Sequence, residues 1–222
     1  MLCWSTCLAA ALALTGTTAR ANDEKAAKPD VEPAAADSDA PLPEGWPRST
    51  RPGAIEVKSY PAYRSAIARG PGGSMKAQQQ LLWPLFIHIT RKQIAMTAPV
   101  IMTSEPRPCG PAESSMEFLD RRLDQGEVGP GGGTVKVEDR PASTFVCLGI
   151  QGNLTEPRRD ESVANLRTWL DEHKAEWVAD GPPRLLGYHG PSTPESKQLG
   201  EVQIPIKPAA SREPEMNRGK PG

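Results

Sequence analysis

The sequence is poor in the residues that usually mark catalysis or nucleic-acid binding. Its 222 residues include 3 histidines, 4 cysteines and 3 phenylalanines, and the formal net charge is −1. Its lysines and arginines are scattered and form no stripe with aromatic residues, so the pattern predicts no nucleic-acid partner. The sequence also lacks C-x-x-C-H, H-E-x-x-H and G-x-S-x-G motifs, and no G-K-[ST] follows a glycine run. These absences argue against an enzyme.

Long hydrophobic runs are missing too. The apolar stretch from Leu8 to Leu14 is far shorter than the roughly 20 residues that span a bilayer, so the sequence predicts no stable membrane anchor. Small residues follow it, and the triplet Ala19-Arg20-Ala21 suits signal-peptidase cleavage. The interpretation is a signal peptide over residues 1–21 and a secreted or periplasmic protein.

The two flanks of the remaining chain contain few large apolar side chains. Residues 22–53 are dominated by Ala, Pro, Asp and Glu, and residues 208–222 have the same character. Such segments bury too little apolar surface to offset the entropy of ordering, so we predict a disordered linker and a disordered tail. The part between them, residues 54–207, has the size of a single domain, and we expect it to be a monomer.

Cysteine is scarce enough to leave one question open. Cys3 and Cys7 fall in the predicted signal peptide, which leaves Cys109 and Cys147. An oxidising compartment would allow those two to form a disulfide, whereas two isolated buried thiols are the alternative. The sequence does not decide between them.

Short alternating apolar segments around two longer periodic ones predict an α+β domain. Pro61-Ala62 and Pro141-Ala142 occupy the same place in the two halves, and we predict that each turns a hairpin within a ββαββ repeat. Strands are predicted at Ile55–Tyr60, Tyr63–Arg69, Ile94–Thr103, Met116–Leu123, Thr134–Glu138, Ser143–Gln151, Arg184–His189 and Glu201–Lys207, and helices at Met75–Ile89 and Arg158–Val178.

The two predicted helices differ in pattern. The second is amphipathic, with one apolar face that should cover a sheet, formed by Val163, Leu166, Leu170, His173 and Trp177. The first carries an inward stripe of Met75, Leu82, Leu85, Phe86 and Ile89. Trp83 and Ile87 fall on the opposite side of that helix, so we expect something outside the domain to cover them.

The decapeptide QIAMTAPVIM, Gln93 to Met102, is the most distinctive string in the chain. Together with IEVKSYPAY, WPLFIHITRK and GYHGPSTPESKQLGEVQIPI, it resembles the SOUL heme-binding protein family. This resemblance implies a pseudo-two-fold, distorted antiparallel β-barrel of eight or nine strands with two helices packed on it. The decapeptide itself carries no reactive group, so we interpret it as a scaffold strand, with a bulge or an edge at Pro99.

The resemblance also implies a non-covalently bound heme or related tetrapyrrole, held without catalysis in a shallow apolar groove beside the first helix and near the loop before the last strand. Lys197 is a candidate partner for a propionate. His88 is the preferred axial ligand, because it borders the exposed apolar face of the first helix, beside Trp83 and Ile87. His173 lies on the inward stripe, and His189 sits beside Gly190, where a turn or surface role is expected. The predicted binding residues are Gln80, Trp83, Ile87, His88 and Lys197.

A second function class stays open. Barrels of this pseudo-symmetric type are also similar to the GyrI-like group, which includes hydrolases and other binders of amphipathic molecules. A carboxylate pointing into the central cleft would favour a hydrolase. An apolar groove open to the outside would favour the tetrapyrrole binder.

Overall fold

The computed structural model describes residues 38–209, in which ten strands and three helices follow one another. The predicted signal peptide, the start of the predicted linker and all but the first residues of the predicted tail lie outside the described residues. The strands are Ile55–Tyr60 (β1), Tyr63–Pro71 (β2), Val100–Glu105 (β3), Glu113–Leu119 (β4), Gly129–Gly132 (β5), Val135–Arg140 (β6), Ser143–Gln151 (β7), Trp177–Ala179 (β8), Arg184–Gly187 (β9) and Leu199–Pro208 (β10). The helices are Met75–Gln79 (α1), Leu82–Lys92 (α2) and Glu156–Glu172 (α3).

All ten strands belong to one antiparallel sheet with the order β1-β7-β10-β9-β3-β4-β2-β6-β5, and β8 pairs with the end of β10. The sheet is symmetric about its central pair, β3 and β9: β4 and β2 follow on one side as β10 and β7 follow on the other. This order confirms the predicted α+β fold, a pseudo-two-fold, distorted antiparallel barrel built from two ββαββ repeats. The hydrogen-bonded order is open rather than closed.

The two predicted hairpins are wrong. Tyr60 of β1 pairs with Ser143 of β7, and Tyr63 of β2 pairs with Arg140 of β6, so strands joined by a Pro-Ala pair do not pair with each other. Each Pro-Ala corner instead sends the chain from one half of the sheet to the other. Because Tyr60 and Tyr63 are three residues apart, roughly 10 Å at most, this corner draws the two ends of the sheet together.

The first predicted helix is broken into α1 and α2. The break precedes Pro84, whose nitrogen has no hydrogen to donate to the carbonyl of Gln80 and whose ring crowds that carbonyl. The interruption also changes which side chains face inward. Leu85 and Ile89 are buried as predicted, but Leu82 and Phe86 are exposed, so the predicted inward stripe is wrong at those two positions.

The second predicted helix is shorter than expected. It ends at Glu172, and the ring of His173 stacks on Trp169 with centroids 3.9 Å apart while its Nδ1 lies 2.7 Å from the Trp169 carbonyl oxygen. The chain then turns to form β8, so Trp177 belongs to a strand and not to the helix. The helix ends here because the following residues pair with β10, where Ala179 lies opposite Ile206 in the sheet.

The decapeptide contributes less strand than predicted. β3 begins at Val100, directly after a cis peptide bond between Ala98 and Pro99, and residues 94–99 run outside the sheet. Pro99 therefore stands before the strand and not at a bulge. The scaffold role agrees with burial, since Ile101 is fully buried and the hydroxyl of Thr97 donates to the Leu119 carbonyl. The glycine-rich stretch GEVGPGGG, residues 126–133, supplies the edge strand β5.

Three apolar clusters fill the domain. Two lie on the outer face of the sheet, which we define as the face that carries the helices: one under α2, with Leu85, and one under α3, with Leu166. The third lies on the opposite, inner face and includes Tyr60, Tyr63 and Tyr188. The helices therefore cover one face of the sheet and aromatic side chains fill the other.

The inner face is closed by residues 38–53, which we call the strap. Trp46 of the strap is 6% exposed and packs edge-to-face on Tyr60 and Tyr63. Pro52 forms a bridge to Gly149, where an added Cβ would lie 2.2 Å from the Arg51 carbonyl oxygen, so only glycine admits this close approach. The predicted disordered linker is therefore wrong for the strap, because one tryptophan buries enough apolar surface to anchor it.

The two cysteines of the domain do not form a disulfide. Cys109 is exposed in the turn between β3 and β4, whereas Cys147 is buried in β7. The Cys147 sulfur lies 3.7 Å from the Tyr60 hydroxyl, and burial raises the pKa of this thiol to about 12. The two thiols are isolated, as in the alternative that the sequence left open, but only Cys147 is buried as expected.

Candidate ligand-binding surface on helix α2

Helix α2 presents large apolar side chains to solvent. Trp83 is 66% exposed, Phe86 50% and Leu82 47%. The rings of Trp83 and Phe86 stack with centroids 6.0 Å apart and an interplanar angle of 21°. These three residues form what we call the platform, and its nearly parallel rings offer flat apolar area to a planar molecule.

A pocket of about 330 Å³ lies beside the platform, between α2 and β5. Ile87 lines it, together with Arg91 and Lys92 from the last turn of the helix. Trp83, Ile87 and Arg91 follow one another at four-residue spacing and so form one row along the helix surface. The row leads from the exposed indole of Trp83 to two cationic side chains.

His88 borders this pocket but is only 5% exposed. Its Nδ1 lies 2.8 Å from the carbonyl oxygen of Gly131, so in the neutral tautomer Nδ1 donates and Nε2 keeps its lone pair. A Cβ at position 131 would lie 3.0 Å from Nδ1 and 2.8 Å from Val135, so this approach requires glycine. His88 therefore adjoins Ile87 in this pocket, but its buried ring points toward β5 and does not lie on the exposed face.

The remaining predicted binding residues fall in other places. Gln80 is exposed at the C-cap of α1, ahead of the platform. Lys197 is exposed in a 3-10 turn before β10, and the neighbouring Ser196 accepts a hydrogen bond from Gln151 of β7. Lys197 does not line the pocket beside α2. The structure thus brings Ile87 and His88 together in one pocket, with Trp83 one turn away.

Sequence reasoning missed part of this surface. Phe86 and Leu82 belong to the platform, and Arg91 and Lys92 line the pocket, but none of the four was predicted as a site residue. The spacing of Leu82 and Phe86, four residues apart, would have placed them on one face. Only the break before Pro84 decides that this face is exposed.

A buried carboxyl group, that of Asp120, contributes to the electrostatic potential near His88. Asp120, at the end of β4, is 5% exposed. Burial raises its pKa to about 6, and the nearby charges of Arg64 and His88 only partly oppose that effect. A negative charge at Asp120 is therefore available near His88 above about pH 6.

The inner face carries two buried carboxylates, Glu117 and Glu201, and Glu201 is enclosed. Glu201 is fully buried in β10 and accepts hydrogen bonds from Lys58 Nζ at 2.8 Å, from the Thr50 backbone N–H and from Gln203. Burial raises the pKa of the neighbouring Tyr60 hydroxyl well above its usual value. With Trp46 covering the same face, Glu201 stabilises the fold from a position that substrate does not reach.

A larger groove, about 560 Å³, lies on the outer face between α1 and α3. Its walls carry charges of both signs, including Arg167 and Asp171, beside apolar Met102 and Leu185. The amide oxygen of the buried Gln78 faces this region without a hydrogen-bond partner among residues 38–209. None of the predicted site residues lines this groove.

Among residues 38–209, no group of three or more His, Cys, Asp or Glu side chains is arranged to hold a metal ion. Of the other histidines, His189 accepts a hydrogen bond from the Leu199 backbone N–H at 3.0 Å, which matches its predicted role in a turn. Within the same residues, no helix is long and apolar enough to cross a membrane.

The architecture defines the class first. A symmetric antiparallel sheet with helices on its outer face is shared with the EcmrR C-terminal domain, at a TM-score of 0.56 and 15% identity, covering 69% of this chain and 97% of that one. A hydrolase from Listeria innocua has the same fold, with a TM-score of 0.53 and 10% identity, covering 71% of this chain and 94% of that one. At such identities the likeness concerns the fold alone.

The family is more specific. The model of the SOUL heme-binding proteins matches residues 47–205, and the chain belongs to that family. The predicted resemblance is thus confirmed over nearly the whole folded part. No curated protein is similar enough to match the sequence.

Proposed function

We propose that this protein binds heme or a related tetrapyrrole non-covalently on the exposed surface of α2, without catalysing a reaction on it. The observation that carries the proposal is the platform, in which two stacked aromatic rings are half or more exposed on a single helix. Membership of a heme-binding family supports the ligand class.

The physical argument starts from the cost of exposure. A contiguous apolar patch on a soluble domain marks a binding surface, because leaving it in water forfeits roughly 25 cal/mol for each Å² that a ligand would cover. A tetrapyrrole matches this surface better than a globular partner does, since it is flat and can lie along Trp83 and Phe86. The row from Trp83 to Arg91 then places its acidic edge near cationic groups.

The propionates of such a ligand need cations. Arg91 and Lys92 are both exposed and line the adjoining pocket, so they suit two carboxylates at one edge of the macrocycle. Lys197 stays a predicted partner for a ligand that extends to the loop before β10. A neutral flat molecule would gain nothing from these charges, which favours an acidic tetrapyrrole.

His88 stays the preferred axial ligand. Its Nδ1 is engaged by the Gly131 carbonyl, an arrangement that holds the ring and leaves Nε2 as the iron-binding nitrogen. The ring lines the pocket next to Ile87. A ligand whose iron sits over this pocket, with its macrocycle edge on the platform, would use both features.

Hemin titration of the purified protein tests the proposal. A Soret shift with the wild type should weaken strongly in Trp83→Ala/Phe86→Ala. The control is Ile55→Ala/Val57→Ala, which removes two exposed apolar side chains, 36% and 40% exposed, from β1, at the opposite end of the strand order from β5. Equal hemin affinity in both double variants, or no Soret shift with the wild type, would contradict binding on the platform.

The axial ligand is tested separately by spectrum. His88→Ala should move the ferric Soret band toward weaker or water ligation even where stacking retains some heme, and His173→Ala should not. An unchanged spectrum in His88→Ala would show that binding is apolar and does not use this histidine. Glu201 is enclosed, and the Glu117 carboxylate, which lines a cavity on the same face, accepts hydrogen bonds from Ser65 and Arg140. Neither arrangement favours the hydrolase alternative, so we do not propose it.

Export of the protein stays a prediction. We propose a secreted or periplasmic location on the strength of the predicted signal peptide over residues 1–21, which lies outside the described residues. Cell fractionation combined with mass determination of the N-terminus tests it, and a cytoplasmic protein that retains residues 1–21 would contradict it.

A further inference from the structure

A second site emerges on the inner face of the sheet, around Arg184 at the start of β9. This arginine is 8% exposed, and its neighbours in the sheet are Thr103 of β3 and Gln203 of β10. A guanidinium is always charged, and arginine is almost never buried so far without a counter-ion. The hydrogen-bond partners of Arg184 therefore indicate whether the site lacks a counter-ion.

The protein satisfies only part of this guanidinium. Nε donates to the Gln203 side-chain oxygen at 2.8 Å and Nη1 donates to the Tyr63 hydroxyl at 3.2 Å. The third nitrogen, Nη2, is buried without a hydrogen-bond partner among residues 38–209. The plane also lies over the Phe145 ring, 3.6 Å from its centroid. Both side-chain acceptors are neutral, so the positive charge has no carboxylate beside it.

The neighbouring charged side chains do not neutralise the Arg184 guanidinium either. Arg140 is paired with Glu117 at 2.8 Å, and Glu117 also accepts from Ser65, while Lys58 is paired with Glu201 at 2.8 Å. Each buried carboxylate of the inner face thus already has its own cation. Among residues 38–209, Arg184 is the buried cation of this face that makes no ion pair, and a single negative charge beside it would neutralise it.

Arg184 lines a cavity of about 220 Å³ that opens to solvent. The cavity has an apolar rim of three prolines, Pro141, Pro182 and Pro205, and an aromatic wall of Phe145 and Tyr63. Thr103 and Ser143 add hydroxyl groups. A space of this size admits a small molecule with a ring, and its walls favour an apolar body over a fully hydrated ion.

We propose that this cavity binds a small aromatic or other apolar monocarboxylate, whose carboxylate accepts hydrogen bonds from Arg184. A monoanion is favoured over inorganic phosphate, because one surplus charge is available and the Glu117 carboxylate lines the same cavity. The site is independent of the α2 platform, since the two lie on opposite faces of the sheet.

Benzoate is the probe, and benzamide is its uncharged counterpart of the same shape. Isothermal titration of the full-length protein should show benzoate binding, with benzamide and inorganic phosphate at least roughly tenfold weaker, the effect of losing a charge-assisted hydrogen bond or of adding repulsion. Backbone NMR shifts caused by benzoate should centre on β9 and on residues 141–145.

Arg184→Met keeps the apolar stem and removes the charge. It should abolish benzoate binding and the rise in melting temperature that benzoate causes, whereas Arg122→Met, which removes an exposed arginine, should leave both unchanged. Ser143→Tyr fills the cavity while retaining Arg184 and should also abolish binding. This second variant decides the matter if Arg184→Met fails to fold.

Three outcomes would overturn the proposal: no benzoate binding to the wild type, equal binding of benzamide, or benzoate binding retained in a folded Arg184→Met or Ser143→Tyr variant. Hemin affinity supplies a separate readout. Hemin affinity should be unchanged in Arg184→Met, so a variant that loses benzoate binding but retains hemin binding confirms two separate sites. If the wild type does not bind hemin, the proposed function fails, but the benzoate result still tests this second site.

Discussion

The indole ring of Trp46 packs edge-to-face on the phenol ring of Tyr60, with centroids 4.7 Å apart and an interplanar angle of 65°. Trp46 precedes the first strand of the first repeat, whereas Tyr60 ends that strand. The contact therefore ties a segment outside the two ββαββ repeats to the core between them. It makes the strap a structural part of the domain.

Trp46→Ala should lower the free energy of unfolding by about 3–5 kcal/mol, because it removes a buried aromatic side chain from the inner-face cluster. Urea-induced unfolding monitored by circular dichroism measures the change. Trp83→Ala is the matched control, since that tryptophan is 66% exposed and its loss should change stability by no more than about 0.5 kcal/mol. Similar losses in the two variants would show that the strap contributes little.

A chain that begins at residue 54 should be less stable than one that begins at residue 38. Besides Trp46, the shorter chain loses Asp39, which accepts hydrogen bonds from the Gly190 backbone at 2.7 Å and from Thr193, and Thr50, whose N–H donates to Glu201. The difference in melting temperature should be several degrees, since about 1 kcal/mol shifts it by roughly 2–8 °C. Identical melting temperatures would return the domain boundary to residue 54.

Lys58→Met should destabilise the protein by about 3–5 kcal/mol, because it leaves the fully buried Glu201 carboxylate without its cation. The side chains of Lys58 and Glu201 are 9% and 0% exposed, so solvent cannot replace the lost charge. The double variant Lys58→Met/Glu201→Gln should recover a large part of that loss. Chemical denaturation of all four proteins in a double-mutant cycle gives the coupling energy, and a value near zero would contradict the pairing.

Asp120 predicts a pH dependence of stability. Its folded-state pKa of about 6 lies above its ordinary value of 3.8, so its contribution is fully present below about pH 4 and is lost as the pH rises through about 6. Asp120→Asn should therefore gain stability relative to the wild type over that range, by about 3 kcal/mol at pH 7. Urea unfolding of both proteins at several pH values measures the difference.

Asp124→Asn is the control for this titration, because Asp124 is an exposed aspartate of the neighbouring turn. Its stability should follow the pH dependence of the wild type. A constant difference between Asp120→Asn and the wild type from pH 4 to pH 7 would show that this carboxyl group does not titrate in that range.

Much of the fold could be predicted because it is encoded locally. Alternation along Ser143–Gln151 and the Pro-Ala pairs revealed the strands and the repeat, and the decapeptide led to the family. Strand partners could not be predicted in this way. Tyr60 and Ser143 are neighbours only because the chain crosses between halves at each proline, and nothing in the local pattern records that crossing.

The candidate site was predictable to the level of its helix. Trp83 follows from its position opposite the inward stripe, and it is the most exposed of the predicted apolar residues. The exposure of Phe86 and the burial of His88 depend on how Pro84 resets the helix start and on the approach of Gly131 from β5. Both depend on contacts between different secondary-structure elements.

The sequence by itself determined the fold class, the repeat and the family, because side-chain periodicity and a distinctive string are properties of neighbouring residues. The tertiary structure alone decided that Trp46 closes the inner face, that Cys109 and Cys147 stay apart, and that Arg184 is buried without a carboxylate. Each of those facts joins residues far apart along the chain, and their energies depend on burial and on the charges nearby, which only the packed structure defines.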